Sequence, residues 1–272
     1  MHVDYEYILA GLVLLLILAV SEMNIFAVIT HQLTRMEQEV EYSTAERILD
    51  MILLSPGFPP NWGNQSADPT SLGLAVQNPL RAYTLDISKV IRLKEDSLNY
   101  IPPGKARQLM GLSENYHFNL TIIPVFTIDI VNASSGGQAK YVITIKDYKG
   151  FRVPNVNVTG FYVPNSLTGG QIYPFKSAIT GVDGVCVLTF NPSLPNRSLV
   201  VYASQLEVKA LQTDPPDLKV WVEKSVVMKS DFPMIQTIYY YTGRVSGMVN
   251  ESVFRYAEIE GVTYYVKFDL WR

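Results

Sequence analysis

Apolar positions along this chain change their rhythm three times, and each change marks a different kind of structure. From Tyr7 to Val20 there are fourteen residues without a charge, YILAGLVLLLILAV, and after Ser21-Glu22 the apolar character resumes from Met23 to Ile29. Together they approach the roughly twenty residues needed to cross a hydrocarbon core, which predicts a transmembrane helix. A secretory signal peptide is the rival, but Asp4 and Glu6 are acidic where a basic flank belongs and no A-x-A-like site follows Val20. A buried core helix is a second rival, and so leucine-dense a run then needs apolar contact on every side.

Beyond that run the spacing becomes amphipathic. Ile25, Ile29, Leu33, Met36 and Val40 recur at steps of four or three, with Arg35, Glu37, Gln38, Glu39 and Glu41 on the other faces. Ala45, Ile48, Leu49 and Ile52 continue the stripe until Ser55-Pro56-Gly57 ends it. One helix from about Tyr5 to Leu54 would be roughly 75 Å long at 1.5 Å per residue. Its second half would be a stalk.

After the stalk the pattern is mixed, then purely β. Leu85 to Lys94 and Lys105 to Leu112 read as short helices, and Phe118 to Val131 as one long strand interrupted near Pro124. From Tyr141 to Ala203, alternating strands recur at intervals of about ten residues between D-x-x-G and G-x-D-G turns at Asp147 to Gly150 and Gly181 to Gly184, the rhythm of a small sandwich. Leu218 to Val222, Thr237 to Tyr241, Ser252 to Ile259 and Val262 to Trp271 read as further strands, the last two a hairpin about Glu260-Gly261. The expected fold is α+β: a transmembrane and stalk helix over 1–54, a small α+β head over 55–135 and 213–272, and an inserted all-β immunoglobulin-like sandwich over 136–212. The C-terminal strands are expected to return and pair with the strand near Phe118.

Composition narrows the chemistry. A formal net charge of −3 in 272 residues offers no basic footprint for phosphate backbones, so no nucleic-acid partner is expected. Cys186 is the only cysteine, which excludes an internal disulfide and a cysteine-cluster metal site, and its apolar strand makes it a core residue. His2, His31 and His117 leave little for a zinc site or a triad, and Tyr116-His117-Phe118 opens a β run without a G-x-S-x-G motif. Asp50, Asp86, Asp129 and Asp269 are scattered carboxylates, and Thr168-Gly169-Gly170 has no helix after it to make a phosphate cradle. Asp147 and Asp183 invite a Ca²⁺ reading, but each stands alone in a turn where its side chain caps the backbone, and turn chemistry is favoured. No enzyme activity, metal or cofactor is expected. Tyr239-Tyr240-Tyr241 and Tyr264-Tyr265 suggest an adhesive aromatic surface, though simple alternation of strand faces is favoured.

Topology rests on two opposed signals. Arg35 and Arg47 follow the apolar run with no basic residue before it, which favours a cytoplasmic C-terminal region. Against this, N-x-S/T acceptors occur at Asn64, Asn119, Asn132, Asn157, Asn196 and Asn250, all after the run, more than chance supplies. Two distant arginines are the weaker signal. The C-terminal ectodomain is expected outside a single-pass anchor, with these asparagines as glycosylation candidates.

Three segments carry resemblances. Asp4-Tyr5-Glu6-Tyr7-Ile8-Leu9 resembles the N-terminal helix of archaeal type IV pilins and archaellins, where a Glu stands fifth in the mature chain; with Met1 discounted, Glu6 is fifth. The resemblance implies that Glu6 meets the N-terminal amine of a neighbouring subunit during assembly, a buried charge pair. Leu53 to Gly63, Leu72 to Ala75, Leu85-Asp86 with Lys89, Tyr100 and Leu109 to Leu112 resemble archaeal pilin-like surface proteins of uncharacterised chemistry. Asp147, Gly150, Pro154, Val156, Val158, Thr180-Gly181, Asp183-Gly184, Leu188 and Phe190 resemble carboxypeptidase-regulatory-like or Big-type immunoglobulin-like modules. Taken together they imply a membrane-anchored extracellular structural protein, a pilin-like subunit or adhesin. Its partners would be membrane lipid and copies of itself or other pilin-like subunits, met through the N-terminal helix. The alternative is a single-pass ectodomain that binds a ligand or serves as accessory subunit of a membrane, secretion or pilus complex without polymerising.

Overall fold

A computed structural model describes residues 44–64, 68–164, 173–190, 196–223, 226–243, 249 and 251–272. The helices among them are α1 (residues 44–54), α2 (Ile87–Ile91) and α3 (Pro103–Leu109). The strands follow as β1 (His117–Pro124), β2 (Phe126–Asn132), β3 (Ala139–Asp147), β4 (Asn157–Pro164), β5 (Phe175–Ile179), β6 (Val185–Phe190), β7 (Arg197–Gln205), β8 (Val208–Asp214), β9 (Val220–Glu223), β10 (Val226–Lys229), β11 (Ile238–Tyr241), β12 (Glu251–Ile259) and β13 (Val262–Trp271). They form antiparallel sheets in the orders β11-β1-β13-β12, β10-β9, β2-β3-β6 and β5-β4-β7-β8.

This corrects the expected α+β class with its long N-terminal helix. Strands make up 48% and helices 13%, the helices are short, and no helix among the described residues is long and apolar enough to cross a membrane. The apolar run from Tyr7 to Ile29, the stalk as far as Ser43, and Glu6 lie outside the described residues. Both head helices are shorter than their sequence windows for local reasons. After α2 the chain turns back, so that Ile101 N–H reaches Arg92 O at 2.9 Å and Arg92 Nε reaches Asn99 O at 2.7 Å. After α3, Gly111 takes φ +72°, a left-handed stop that glycine adopts without steric cost.

The expected single strand from Phe118 to Val131 is two strands in two sheets. Pro124 has no N–H to extend the ladder, and Val125 N–H makes one more bond, to Thr263 O at 3.0 Å, before the chain leaves β13. β1 then lies between β11 and β13 while β2 joins β3.

α1 packs on the inward face of the four-stranded sheet. Ala45, Leu49, Ile52 and Leu53 are fully buried among Leu120, Ile122, Val266 and Phe268. Arg255 of β12 is tied to the helix by Glu46 and Asp50, its Nη2 donating to Glu46 Oε1 at 2.5 Å and its Nε to Asp50 Oδ1 at 3.1 Å. Those bonds, that to Glu46 foremost, raise its already high pKa.

Residues 55–64 and 68–75 have little regular structure, and buried polar side chains satisfy backbone carbonyls among them. Trp62 is fully buried and donates from Nε1 to Gly73 O at 3.0 Å and to Pro56 O at 3.2 Å. Lys89 of α2 is also fully buried, with Nζ 2.9 Å from Pro56 O and 2.7 Å from Ala75 O. Burial lowers its pKa, partly offset by Asp86. Arg92 donates to Trp62 O at 2.6 Å and lies 5.2 Å from the indole centroid. Gly57 has φ +71°, and a Cβ there would lie 2.6 Å from Ser71 O, so the loop closes only on glycine.

The sheets β2-β3-β6 and β5-β4-β7-β8 face each other as a sandwich compatible with an immunoglobulin-like fold. Ile143, Ile145, Val156, Val158, Leu199, Val201 and Ala203 fill its core. A Cβ at Gly160 would lie 2.5 Å from Leu188 Cδ1, so this glycine lets the two sheets approach. The reverse face of the second sheet is buried too: Phe161, Val163, Val200 and Leu211 belong to the same core as α1 and the four-stranded sheet. β7 thus has core on both faces, the physical reason that Leu199-Val200-Val201 shows no polar alternation.

Candidate functional site

The four-stranded sheet has one face on the core and one on solvent, and the outward face holds the unusual chemistry. Alternation from Leu120, Ile122, Val266 and Phe268 inward forces Asn119, Thr121, Tyr265, Lys267 and Asp269 outward. The cross-strand register sets Tyr241, Asn119, Asp269 and Ser252 in one row, Tyr239, Thr121, Lys267 and Phe254 in the next, and Ile123, Tyr265 and Tyr256 in the third.

The third row gathers rings. Tyr265 lies 5.2 Å from Phe254 and 6.1 Å from Tyr256, centroid to centroid, and Tyr148 from the turn after β3 stacks on it at 5.0 Å with the ring planes 6° apart. Lys149 Nζ sits 5.5 Å from the Tyr148 centroid. Phe254 and Tyr256 remain about half exposed, at 50% and 53%. Burial, then the neighbouring Tyr148 and Tyr256 hydroxyls and Asp269, push the Tyr265 phenol up. Such a surface stacks on apolar or sugar faces and donates hydrogen bonds from its phenols.

The centre of the same face is polar. Asn119 Nδ2 donates to Asp269 Oδ2 at 3.2 Å, and Lys267 Nζ lies 2.9 Å from Asp269 Oδ1. This arrangement holds a buried carboxylate by one cation and one amide. His117, at the end of β1, stacks on Trp271 at 6.0 Å. Among the described residues no three His, Cys, Asp or Glu side chains converge as metal ligands. Asp147 Oδ1 accepts the N–H groups of Lys149 and Phe151, each at 2.9 Å, and Asp183 Oδ1 accepts that of Val185 at 3.1 Å, so both cap turns. Cys186 is buried, and burial raises its thiol to about 11.

The glycosylation candidates do not converge. Asn64, Asn132, Asn157 and Asn196 are exposed at the ends of elements, Asn119 is half buried within β1, and Asn250 lies outside the described residues. Asn132 Oδ1 accepts Ser134 N–H at 3.0 Å, an Asx turn in a chain reversal. Asn119 differs from the exposed acceptors because its amide is already committed to Asp269.

Alternation accounts for which face each of these tyrosines takes. It places Tyr240 and Tyr264 in the core, where their hydroxyls donate to Ile101 O at 2.7 Å and Ile235 O at 2.8 Å, and it turns Tyr239, Tyr241 and Tyr265 outward. The partners Phe254, Tyr256 and Tyr148 were not evident beforehand, because only the strand register and the joint between sheet and sandwich bring them to Tyr265. No protein-family model and no curated protein matches this chain.

Proposed function

We propose that the chain is a membrane-anchored extracellular structural protein, a pilin-like subunit or surface adhesin that acts by assembly or adhesion rather than catalysis. The supporting observation is the ring cluster of Phe254, Tyr256, Tyr265 and Tyr148, gathered on a solvent-facing sheet with Tyr265 resting on the sandwich core and Phe254 and Tyr256 half exposed around it. The apolar run after Glu6 and the glycan acceptors Asn64, Asn132, Asn157 and Asn196 agree with a single-pass, outward-facing chain. On this reading the anchor contacts lipid and, through Glu6, neighbouring subunits of its own or pilin-like kind.

The test is a Phe254→Ser/Tyr265→Ser variant displayed on cells, with extracted material inspected for filaments. Reduced adhesion or assembly at unchanged surface level supports the proposal; wild-type behaviour from the folded variant removes the role of the rings. A protein that stays monomeric and dependent on detergent, with its N-terminus unprocessed, removes the pilin-like reading. It leaves a non-polymerising ectodomain that serves as accessory subunit. A cleft beside β11 favours that second reading.

A further inference from the structure

β11 is a short strand at the margin of the four-stranded sheet, paired with β1 on one side only. The ladder determines where its backbone groups point. Thr242 N–H donates to Phe118 O at 2.9 Å and Phe118 N–H to Thr242 Oγ1 at 3.0 Å, which sets the phase in which 120/240 and 122/238 exchange hydrogen bonds, while Asn119/Tyr241 and Thr121/Tyr239 are the wide pairs. Val125 N–H donating to Thr263 O fixes the complementary phase, in which Asn119 and Thr121 bond to β13. The N–H and C=O of Tyr239 and Tyr241 consequently face away from the sheet, and no described residue bonds to them.

Below that free edge lies a cleft of about 360 Å³. Leu93, Tyr100 and Pro103 contribute its apolar wall, Tyr239 and Tyr241 line its strand side, and Glu95 stands at its lip. Lys94 is occupied by Asp96 at 3.8 Å, whereas Glu95 makes no ion pair among the described residues. The lip therefore presents one uncompensated negative charge. Tyr239 and Tyr241, 66% and 52% exposed, flank the edge on the outer face.

The geometry points to β11 as a strand-addition site: an extended segment of a partner protein pairs with the free N–H and C=O groups of Tyr239 and Tyr241. It sets alternate apolar side chains into the cleft and a Lys or Arg against Glu95. Main-chain bonds supply affinity in this mode and the cleft supplies selectivity. Only an extended backbone offers donors and acceptors at the spacing of alternate strand residues, which distinguishes this site from a general apolar patch. The proposal needs neither the anchor nor the ring cluster, so it stands or falls separately from the adhesin reading.

The test uses the full chain in detergent micelles and an acetyl-capped heptapeptide of alternating valine and lysine. Saturable binding by fluorescence anisotropy is expected, with amide exchange at Tyr239 and Tyr241 slowed at least about tenfold. N-methylation of one alternate set of peptide amides abolishes binding, and methylation of the other set leaves it nearly unchanged. Glu95→Gln weakens binding by up to about fivefold, as expected for one exposed charge. Tyr241→Pro, checked for fold by circular dichroism, removes an outward donor and abolishes the complex. Absence of binding, or binding indifferent to which amides are methylated, overturns the proposal. Protection of the same amides that rises with protein concentration in the absence of peptide overturns it as well, by assigning the edge to a second copy.

Discussion

The segment from Ser55 to Ile101 and the sandwich of β2 to β8 solve one problem in opposite ways. Each must bury its backbone without leaving amides and carbonyls unpaired. The sandwich does so with its own ladders, and its core is accordingly almost wholly aliphatic and aromatic. The segment from Ser55 to Ile101 has few ladders, and Trp62, Lys89 and Arg92 reach in from a distance to bond the carbonyls of Pro56, Trp62, Gly73, Ala75 and Asn99. Irregular backbone in a core thus requires buried polar side chains, including cations that would otherwise be costly there.

Trp62→Ala gives the sharpest test of that contrast. It removes a large buried ring and two hydrogen bonds, and an equilibrium urea curve should show a loss of about 3–5 kcal/mol. Because Phe161, Val200 and Leu211 of the sandwich share the same core, the loss should appear in one transition; two separated transitions would show the regions to be independent. Next in size is Lys89→Met, which keeps volume but strands the carbonyl of Ala75, while Pro56 O keeps the Trp62 indole N–H, at roughly 1–3 kcal/mol. Limited proteolysis should then open residues 55–75 before any cut in the sandwich. A variant as stable as the wild type would show that the cation is dispensable.

Alkaline pH probes the sandwich together with the four-stranded sheet that carries β11 and β13. Burial foremost keeps the phenols of Tyr240, Tyr264 and Tyr141 protonated in the fold, Tyr141 up to about 12, whereas an unfolded tyrosine titrates near 10.0. A raised folded pKa contributes stability that is complete below the unfolded value and is lost as pH rises through the folded one. Urea midpoints should therefore fall between about pH 10 and pH 12. Tyr141→Phe should reduce that slope while leaving the exchange of amides around Ile101 unchanged. The smallest effect is expected for Ile143→Val in the sandwich core, about 0.5–1.5 kcal/mol in the same urea assay. A loss as large as that of Trp62→Ala would erase the distinction between the two regions.

These regions also differ in how far they were readable. The sandwich announces itself locally: Tyr141 to Ile145 alternates, and Asp147 and Asp183 cap turns. Pairing of β1 with the C-terminal strands followed from a lone strand needing partners, but its division from β2 turned on one missing N–H at Pro124. The α+β expectation failed because most of the structure is strand and because helical periodicity at Leu85 to Lys94 and Lys105 to Leu112 does not mark the local reversals that end each helix early. The roles of Lys89 and Arg92 were invisible because their acceptors lie 14 to 33 residues away for Lys89 and up to 30 for Arg92. At the candidate surface Tyr239, Tyr241 and Tyr265 were legible as tyrosines on strands. Their assembly with Phe254, Tyr256 and Tyr148 depends on register across strands far apart in the chain.

Asn119 and Asp269, hydrogen-bonded across the sheet, are separated by 150 positions. A chain made from its N-terminus therefore completes its sandwich at Asp214 while β1 still has neither neighbour, and the ring-bearing sheet closes only once Trp271 has been synthesised. Until then both edges of β1 are open to any extended chain nearby. Late closure makes the final hairpin a quality signal: a product truncated before it leaves β1 without its β13 neighbour and shows no finished surface.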